Sequence, residues 1–394
     1  MDIHNYKRQL ERNIRLLEEN PVICEENKKI GIAFKDYLLS EGIGVAKIGR
    51  YLLDVRKLAI MLSKPFPEAI EHDLRKVVAE IEQSELAPES KKCFKVMIRK
   101  IYRFIRGIHE KQKYPPEVAW ISIAIPKNHR KLPEELLNEV ELKQLIHHAE
   151  GIRDKALIAS LAESGARISE IATMQIKHIS FEEYGARLTM SGKTGTRKVL
   201  VISSTPYLQQ WINEHPHNPN SDAYLWYDTK RGKECLTYSG IAAMLKRTAH
   251  KAGIKKRVHL HLLRHSRATL MASVMSESAM KQYFGWGQDS KMAAIYVHMS
   301  GKDTDEAILR ANGIEIKKEK KEIALKPINC QRCKLKNEAT NRCCKQCGLI
   351  LNKEYAQEVL QKDHERTKAD EIMNKLINDP EILSLIRQKI LTKK

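Results

Sequence analysis

Four prolines, Pro115, Pro116, Pro126 and Pro133, fall within residues 111–134 and divide the chain in two. A proline inside a helix removes one backbone hydrogen bond and clashes with the preceding turn, so no helix is expected to run through this stretch. Before it, residues 1–112 read as helical throughout. Ile48, Tyr51, Leu52, Val55, Leu58, Ala59 and Leu62 recur at three- and four-residue steps, which predicts one buried helix face. A later helix is expected to bury Cys93, Val96, Met97, Ile101, Phe104 and Ile105. Its other side carries Lys92, Lys95, Arg99, Arg103 and Arg106, a stripe that suits a DNA backbone and suits a solvated helix face equally well.

After the prolines a helix is expected to start at Asn138, whose side chain can cap while Glu141 reaches back. Further helices are predicted near 152–165 and 168–176. Residues 186–202, ARLTMSGKTGTRKVLVI, read as a β-hairpin around a glycine-containing turn. More helices fill 205–312, KKEKKE at 317–322 marks a charged linker, and a last helical stretch over 351–392 breaks at Asp379-Pro380. The expected fold is mainly α with a small antiparallel β-sheet. An all-α N-terminal domain (1–112) and a linker (113–134) lead to an α+β domain (135–315). A charged linker (316–327), a cysteine knuckle (328–350) and a helical tail (351–394) complete the expected order.

The chain has 394 residues, too many for one ordinary core. Its 69 Lys and Arg against 49 Asp and Glu leave a formal net charge of +20. That excess favours a polyanionic partner, because each neutralised phosphate releases condensed counterions. No apolar run approaches the ~20 residues that span a bilayer. The opening MDIHNYKRQLERN has no apolar signal core. A soluble protein of the cytoplasm, with no membrane partner, is expected.

Three local motifs occur in order. The first is Gly165-Ala166-Arg167-Ile168-Ser169-Glu170, at a helix start. The second is His261-Leu262-Leu263-Arg264-His265, and the third is Gly285-Trp286, followed ten residues after the Trp by Tyr296. Lys193 lies in the hairpin turn between the first and second. Phosphodiester transfer concentrates negative charge on two non-bridging oxygens, and two guanidinium forks, Arg167 and Arg264, can bind them bidentately. His261 and Arg264, three apart on a helix, project from one face. Lys193 could protonate a departing 5′-oxygen, and Trp286 offers an N–H donor that cannot shuttle a proton. Tyr296 is the candidate nucleophile. His259, His265 and His298 read as packing or capping residues.

In these motifs, over roughly residues 20–312, the chain resembles the tyrosine recombinase, or phage-integrase, superfamily. The resemblance implies that Arg167 and Arg264 are the two catalytic arginines, Lys193 the hairpin lysine and His261 the second-motif histidine. It implies that Tyr296 forms a 3′-phosphotyrosyl link and that Glu170 supports the pocket. Lys198, in the same hairpin, stays a competitor for the lysine role. Trp286 stands where most members carry His. The resemblance further implies a DNA-binding N-terminal domain of the core-binding, SAM-like kind, a clamp around double-stranded DNA, and four protomers on two sites. No cofactor is expected for catalysis.

Cys330-x2-Cys333 and Cys344-x2-Cys347 are ten residues apart, and Gly348 permits the tight turn that such knuckles use. Each turn can place two thiolates on one ion, which predicts a structural Zn²⁺ held by Cys330, Cys333, Cys344 and Cys347. Cys343 competes with Cys344 for its place. Rival readings are a DNA-binding regulator on an inactive recombinase fold, a type IB topoisomerase-like enzyme that relaxes DNA, and an adaptor built around the knuckle.

Overall fold

The computed structural model describes residues 2–110, 113–124, 135–192, 195–228, 232, 235–299, 312 and 326–391. The chain separates into two compact units, Met1–Lys131 and Leu132–Lys394.

The first unit is all helical among its described residues: α1 (Tyr6–Glu18), α2 (Glu25–Ser40), α3 (Val45–Leu62), α4 (Glu71–Gln83), α5 (Pro88–Ile105) and the short α6 (Pro116–Ala119). The predicted face of α3 is buried at all seven positions, so this helix is the unit's spine. On α5 the buried face is rotated from the prediction. Phe94, Met97, Ile98, Ile101 and Tyr102 are buried, while Cys93 is exposed. The two aromatics decide this. Their larger apolar area outweighs that of a cysteine, and Tyr102 also finds a polar partner by donating its hydroxyl to the Phe66 carbonyl at 3.1 Å. Part of the expected linker is not a linker. Pro116 sits at the first position of α6, where a missing N–H is harmless. Val118 and Ile121 then join the core, and Trp120 lies 4.2 Å from the Arg75 guanidinium.

The second unit begins as the sequence indicates. α7 (Glu139–His147) opens with the reciprocal capping box: the Glu141 N–H donates to Asn138 Oδ1 and the Asn138 N–H to Glu141 Oε2, both at 2.8 Å. Such a cap contributes about 0.5–2 kcal/mol. α8 (Gly151–Ser164) is buried along nearly its whole length, and α9 (Ile168–Ala172) follows after a three-residue break. The hairpin of β2 (Gly185–Gly192) and β3 (Gly195–Val201) forms as expected, and β1 (Ile179–Glu182) extends it to an antiparallel sheet of order β1-β2-β3. Ile179 pairs with Leu188, and Leu188 with Val199. β3 is tied to α8 through buried Glu163, whose carboxylate accepts from the N–H groups of Ile202, Ser203 and Ser204 at 2.7–2.9 Å. α10 (Thr205–Asn213), α11 (Tyr238–Lys251), α12 (Leu260–Ala272), α13 (Glu277–Phe284) and α14 (Met292–Met299) follow.

The cysteine knuckle, with β4 (Ile328–Asn329) and β5 (Lys336–Asn337), packs against this unit. Thr340 Oγ1 and the buried Tyr207 hydroxyl on α10 lie 2.9 Å apart. Lys345 bonds Gln210 on the same helix, and Lys336 donates to the Glu183 carbonyl at 3.2 Å. The tail forms α15 (Lys353–Ile377) and α16 (Pro380–Leu391), separated at Asp379-Pro380 as the sequence indicates. No helix among the described residues is long and apolar enough to cross a membrane.

Candidate active site

Arg167 is the N-cap of α9, two residues after Gly165, which ends α8. Gly165 has φ +56°, and a Cβ there would lie 2.4 Å from the Phe284 ring, so only glycine fits both backbone and neighbour. Arg264 is on α12, 7% exposed, and donates to the Gly165 carbonyl at 2.7 Å and the Phe284 carbonyl at 2.8 Å. Arg167 donates to the Gly285 carbonyl at 3.1 Å. Both arginines of the first two motifs are thus tied to the C-terminal end of α13, where carbonyls without helical partners carry partial negative charge. That end is closed by Gly285 in the left-handed region, φ +61°.

Glu170 is the one carboxylate in this group, and its side chain is fully buried. Burial alone would raise its pKa, but the Arg197 and Arg167 bonds outweigh that and hold it below the usual carboxylate range. Burial pulls the Arg264 guanidinium down to about 10, and the Arg167 and Arg197 charges press the same way. A second anion is therefore favoured beside these arginines.

Tyr296 is on α14, 3% exposed, in a small core with Ala268, Ala272, Met280, Phe284 and Ala293. Its ring stacks on Trp286 with centroids 5.5 Å apart and planes 1° from parallel, and Trp286 in turn stacks on Phe284 at 4.9 Å. Burial raises the Tyr296 pKa while the Arg264 charge opposes the rise, so the phenol stays protonated at neutral pH. His265 Nδ1 and the Tyr296 hydroxyl are hydrogen-bonded, with the phenol as donor when that nitrogen is unprotonated. Read from sequence as packing or capping, His265 meets the candidate nucleophile Tyr296 instead. The signal that could have found it is spacing, since α12 sets His261, Arg264 and His265 within four residues. His259 does cap α12, accepting from the Leu262 N–H at 3.1 Å. His261 is at the exposed rim, its ring 6.3 Å from that of His265.

Lys193 lies outside the described residues, as does the side chain of His298. Lys198 is exposed on the outer face of β3, whereas Arg197, Val199 and Val201 face inward by strand alternation. Lys198 therefore does not address this site. Arg197 does, and nothing in the motif reading singled it out. It forms a bidentate pair with Glu170, both bonds at 2.8 Å, and donates from Nε to the Tyr283 carbonyl at 3.0 Å.

The stripe on α5 is largely engaged within its own unit. Lys95 pairs with Glu82 at 2.7 Å and Arg106 with Glu117 at 2.6 Å. Arg99 lies over the Tyr114 ring at 3.6 Å, and Arg103 donates to the His109 carbonyl at 3.3 Å. Lys92 is half-buried on the same helix.

The four cysteines of the two C-x2-C turns bring their sulfurs within 4.8 Å of one another. Cys330 and Cys347 are 3.4 Å apart, as are Cys333 and Cys344. These distances are too long for disulfides and near the spacing of thiolates sharing one tetrahedral ion. Cys344, not Cys343, faces the cluster; Cys343 pairs through its backbone with Ile350. Gly348, φ +71°, and Lys334, φ +61°, make the two equivalent tight turns.

Residues 135–302 match the model of the phage integrase family. Tyrosine recombinase XerA of Pyrococcus furiosus is 32% identical over 193 residues, which is 48% of this chain and 66% of that protein. Tyrosine recombinase XerD of Bifidobacterium longum is 26% identical over 70% of this chain and 93% of its own length. Residues 135–302 thus carry a domain similar to the phage integrase family, and the chain is similar to tyrosine recombinases. Its alignment spans just under two thirds of the XerA proteins of P. furiosus and P. horikoshii. In fold, it is similar to the crystal structure of XerH recombinase bound to a difH substrate, with TM-score 0.53, 19% identity, 78% of this chain and 97% of that one covered. It is also similar to a lambda integrase dimer bound to a COC′ core site, with TM-score 0.54, 17% identity, and 70% and 78% covered.

Proposed function

We propose that this recombinase cuts and rejoins double-stranded DNA at specific sites through a 3′-phosphotyrosyl link to Tyr296. The observation that carries the reading is the convergence of two arginines and a buried, hydrogen-bonded tyrosine on one helix end, formed by residues far apart in sequence. Arg167 and Arg264 hold the two non-bridging oxygens and stabilise the charge that builds up on them, so no metal is needed for strand transfer. Tyr296 Oη attacks phosphorus as its proton passes to His265, the P–O5′ bond breaks, and Lys193 supplies the proton to the leaving oxygen. Trp286 fixes the plane of the phenol by stacking, and His261 serves the phosphate from the rim. The link preserves the bond energy, so attack by a second 5′-hydroxyl reverses the step on another strand.

Four copies on two duplexes would carry out the exchange; a lambda integrase tetramer bound to a Holliday junction shares this fold. A type IB topoisomerase-like enzyme uses the same chemistry without pairing sites. Incubating two linear duplexes that carry the cleavage site separates the two. Recombinant joints are expected, and relaxation of supercoils without joints would support the topoisomerase reading.

A zinc ion held by Cys330, Cys333, Cys344 and Cys347 supplies a structural cross-link only, because four thiolates complete the shell. Together with the contacts to Tyr207 and Gln210, this makes the knuckle a brace on α10. One zinc per chain is expected by elemental analysis, and Cys333→Ser should lower Tm and release the ion. A Cys333→Ser protein with unchanged Tm and no zinc at any stage would remove the brace.

A further inference from the structure

Three consecutive carbonyls at the end of α13 each accept from a different arginine. The Tyr283 carbonyl takes Arg197 Nε at 3.0 Å, the Phe284 carbonyl takes Arg264 at 2.8 Å, and the Gly285 carbonyl takes Arg167 at 3.1 Å. Two of these arginines have a role in the proposed reaction. Arg197 has none, yet its side chain is the more enclosed of the pair that flanks Glu170, 11% exposed against 29% for Arg167.

We infer that Arg197 is a positioning residue for strand cleavage: it neutralises and orients Glu170, so that the charge of Arg167 is directed at the phosphate rather than at that carboxylate. The inference rests on the recombinase reading above and deepens it. Glu170 has two oxygens, and Arg197 takes both through a planar fork at 2.8 Å. Arg167 then bonds the same carboxylate at its margin, through Nη1 at 3.0 Å and its backbone N–H at 2.8 Å. Without Arg197, a fully buried carboxylate would have Arg167 as its sole cationic partner among these bonds, and pairing there would oppose pairing with the phosphate. Arg197 also approaches Gly285 closely: a Cβ at that residue would lie 2.8 Å from its guanidinium. The same side chain therefore sets the turn that presents Trp286. It carries this out from β3, four residues beyond Lys193, with its bonds going to Glu170 and the Tyr283 carbonyl.

A brace that serves only folding makes different predictions from a group that tunes charge at the phosphate. The test uses the full chain and a nicked duplex selected by wild-type trapping from a random-sequence pool. Single-turnover cleavage is measured for wild type, Arg197→Gln, Arg197→Lys, Glu170→Gln and the Glu170→Gln/Arg197→Gln double variant. Each protein is run on the normal phosphodiester and on a neutral methylphosphonate at the scissile position. Arg197→Gln is expected to lose about 100-fold in cleavage rate on the phosphodiester, the scale of losing one transition-state donor, with DNA affinity within about twofold. On the methylphosphonate the loss should fall below about tenfold, because less charge has to be matched there. The double variant should recover at least about tenfold over Arg197→Gln, since the unpaired carboxylate is gone. Equal losses on both substrates with additive single effects would overturn the inference and leave a structural brace. If Arg197→Gln does not fold, Arg197→Lys, which keeps the charge and loses the fork, carries the same comparison. A wild type that traps no duplex from the pool sinks the recombinase reading, whereas an active wild type with an unimpaired Arg197→Gln sinks this inference alone.

Discussion

The arginines of α5 and the arginines around the end of α13 are equally conspicuous in the sequence, and they differ in what surrounds them. On α5, Arg99, Arg103 and Arg106 meet an aromatic ring, a loop carbonyl and an opposing carboxylate, each within its own unit. Around α13, two guanidiniums, Arg167 and Arg197, share one carboxylate, and Arg264 is bonded to neutral carbonyls alone. The first set is spread over separate partners, with one carboxylate at the half-exposed Arg106. The second keeps an excess of positive charge beside a buried phenol, the condition for binding and activating a phosphodiester. A run of basic residues therefore says little until its partners are known.

The comparison would break most visibly at Arg264. Arg264→Ala should reduce single-turnover cleavage about 1000-fold, whereas Arg103→Ala should leave it within about threefold. Equal losses would mean that the α5 stripe belongs to the reaction. A smaller contrast lies in the carboxylates. Glu170→Gln removes the buried carboxylate shared by Arg167 and Arg197 and should destabilise the second unit by about 3–5 kcal/mol in denaturant unfolding. Glu117→Gln removes the partner of a half-exposed Arg106 and should cost at most about 1 kcal/mol. The pH dependence sharpens this. Because the folded-state pKa of Glu170 is depressed, its contribution is complete above the unfolded value of about 4.3 and fades as pH falls through the lower folded value. The Tm gap between wild type and Glu170→Gln should thus be full at pH 7 and shrink below about pH 4; a gap that widens in acid would contradict the assignment. The smallest effect is expected at Arg99, where loss of the Tyr114 contact should lower the stability of the first unit by about 0.5–1 kcal/mol.

Local chemistry was legible in the sequence wherever a pattern acts at short range. The Asn138–Glu141 box, the buried face of α3, the break at Pro380 and the two cysteine turns all follow from residues a few positions apart. The motifs of Arg167, Arg264 and Tyr296 stood out for another reason: their order and spacing resemble a superfamily. Contacts made by the fold itself were not. Arg197 carries no local mark, since any hairpin position is inward or outward according to a register that the sequence alone leaves open. Cys93 was misassigned because Phe94, one position on, and Tyr102 further along the same helix redirect the α5 face. The pairing of His265 with Tyr296 spans 31 residues and depends on how α12 packs against α14. The docking of Thr340 on Tyr207 spans 133.

The central claim is that Tyr296 becomes joined to DNA. Wild type and Tyr296→Phe would be incubated without Mg²⁺ on nicked suicide duplexes, denatured, and resolved for a protein–DNA adduct. The account predicts an adduct from wild type, located on Tyr296 by peptide mass spectrometry, and none from Tyr296→Phe. Tight DNA binding with no adduct from either protein, or equal adducts from both, would contradict it.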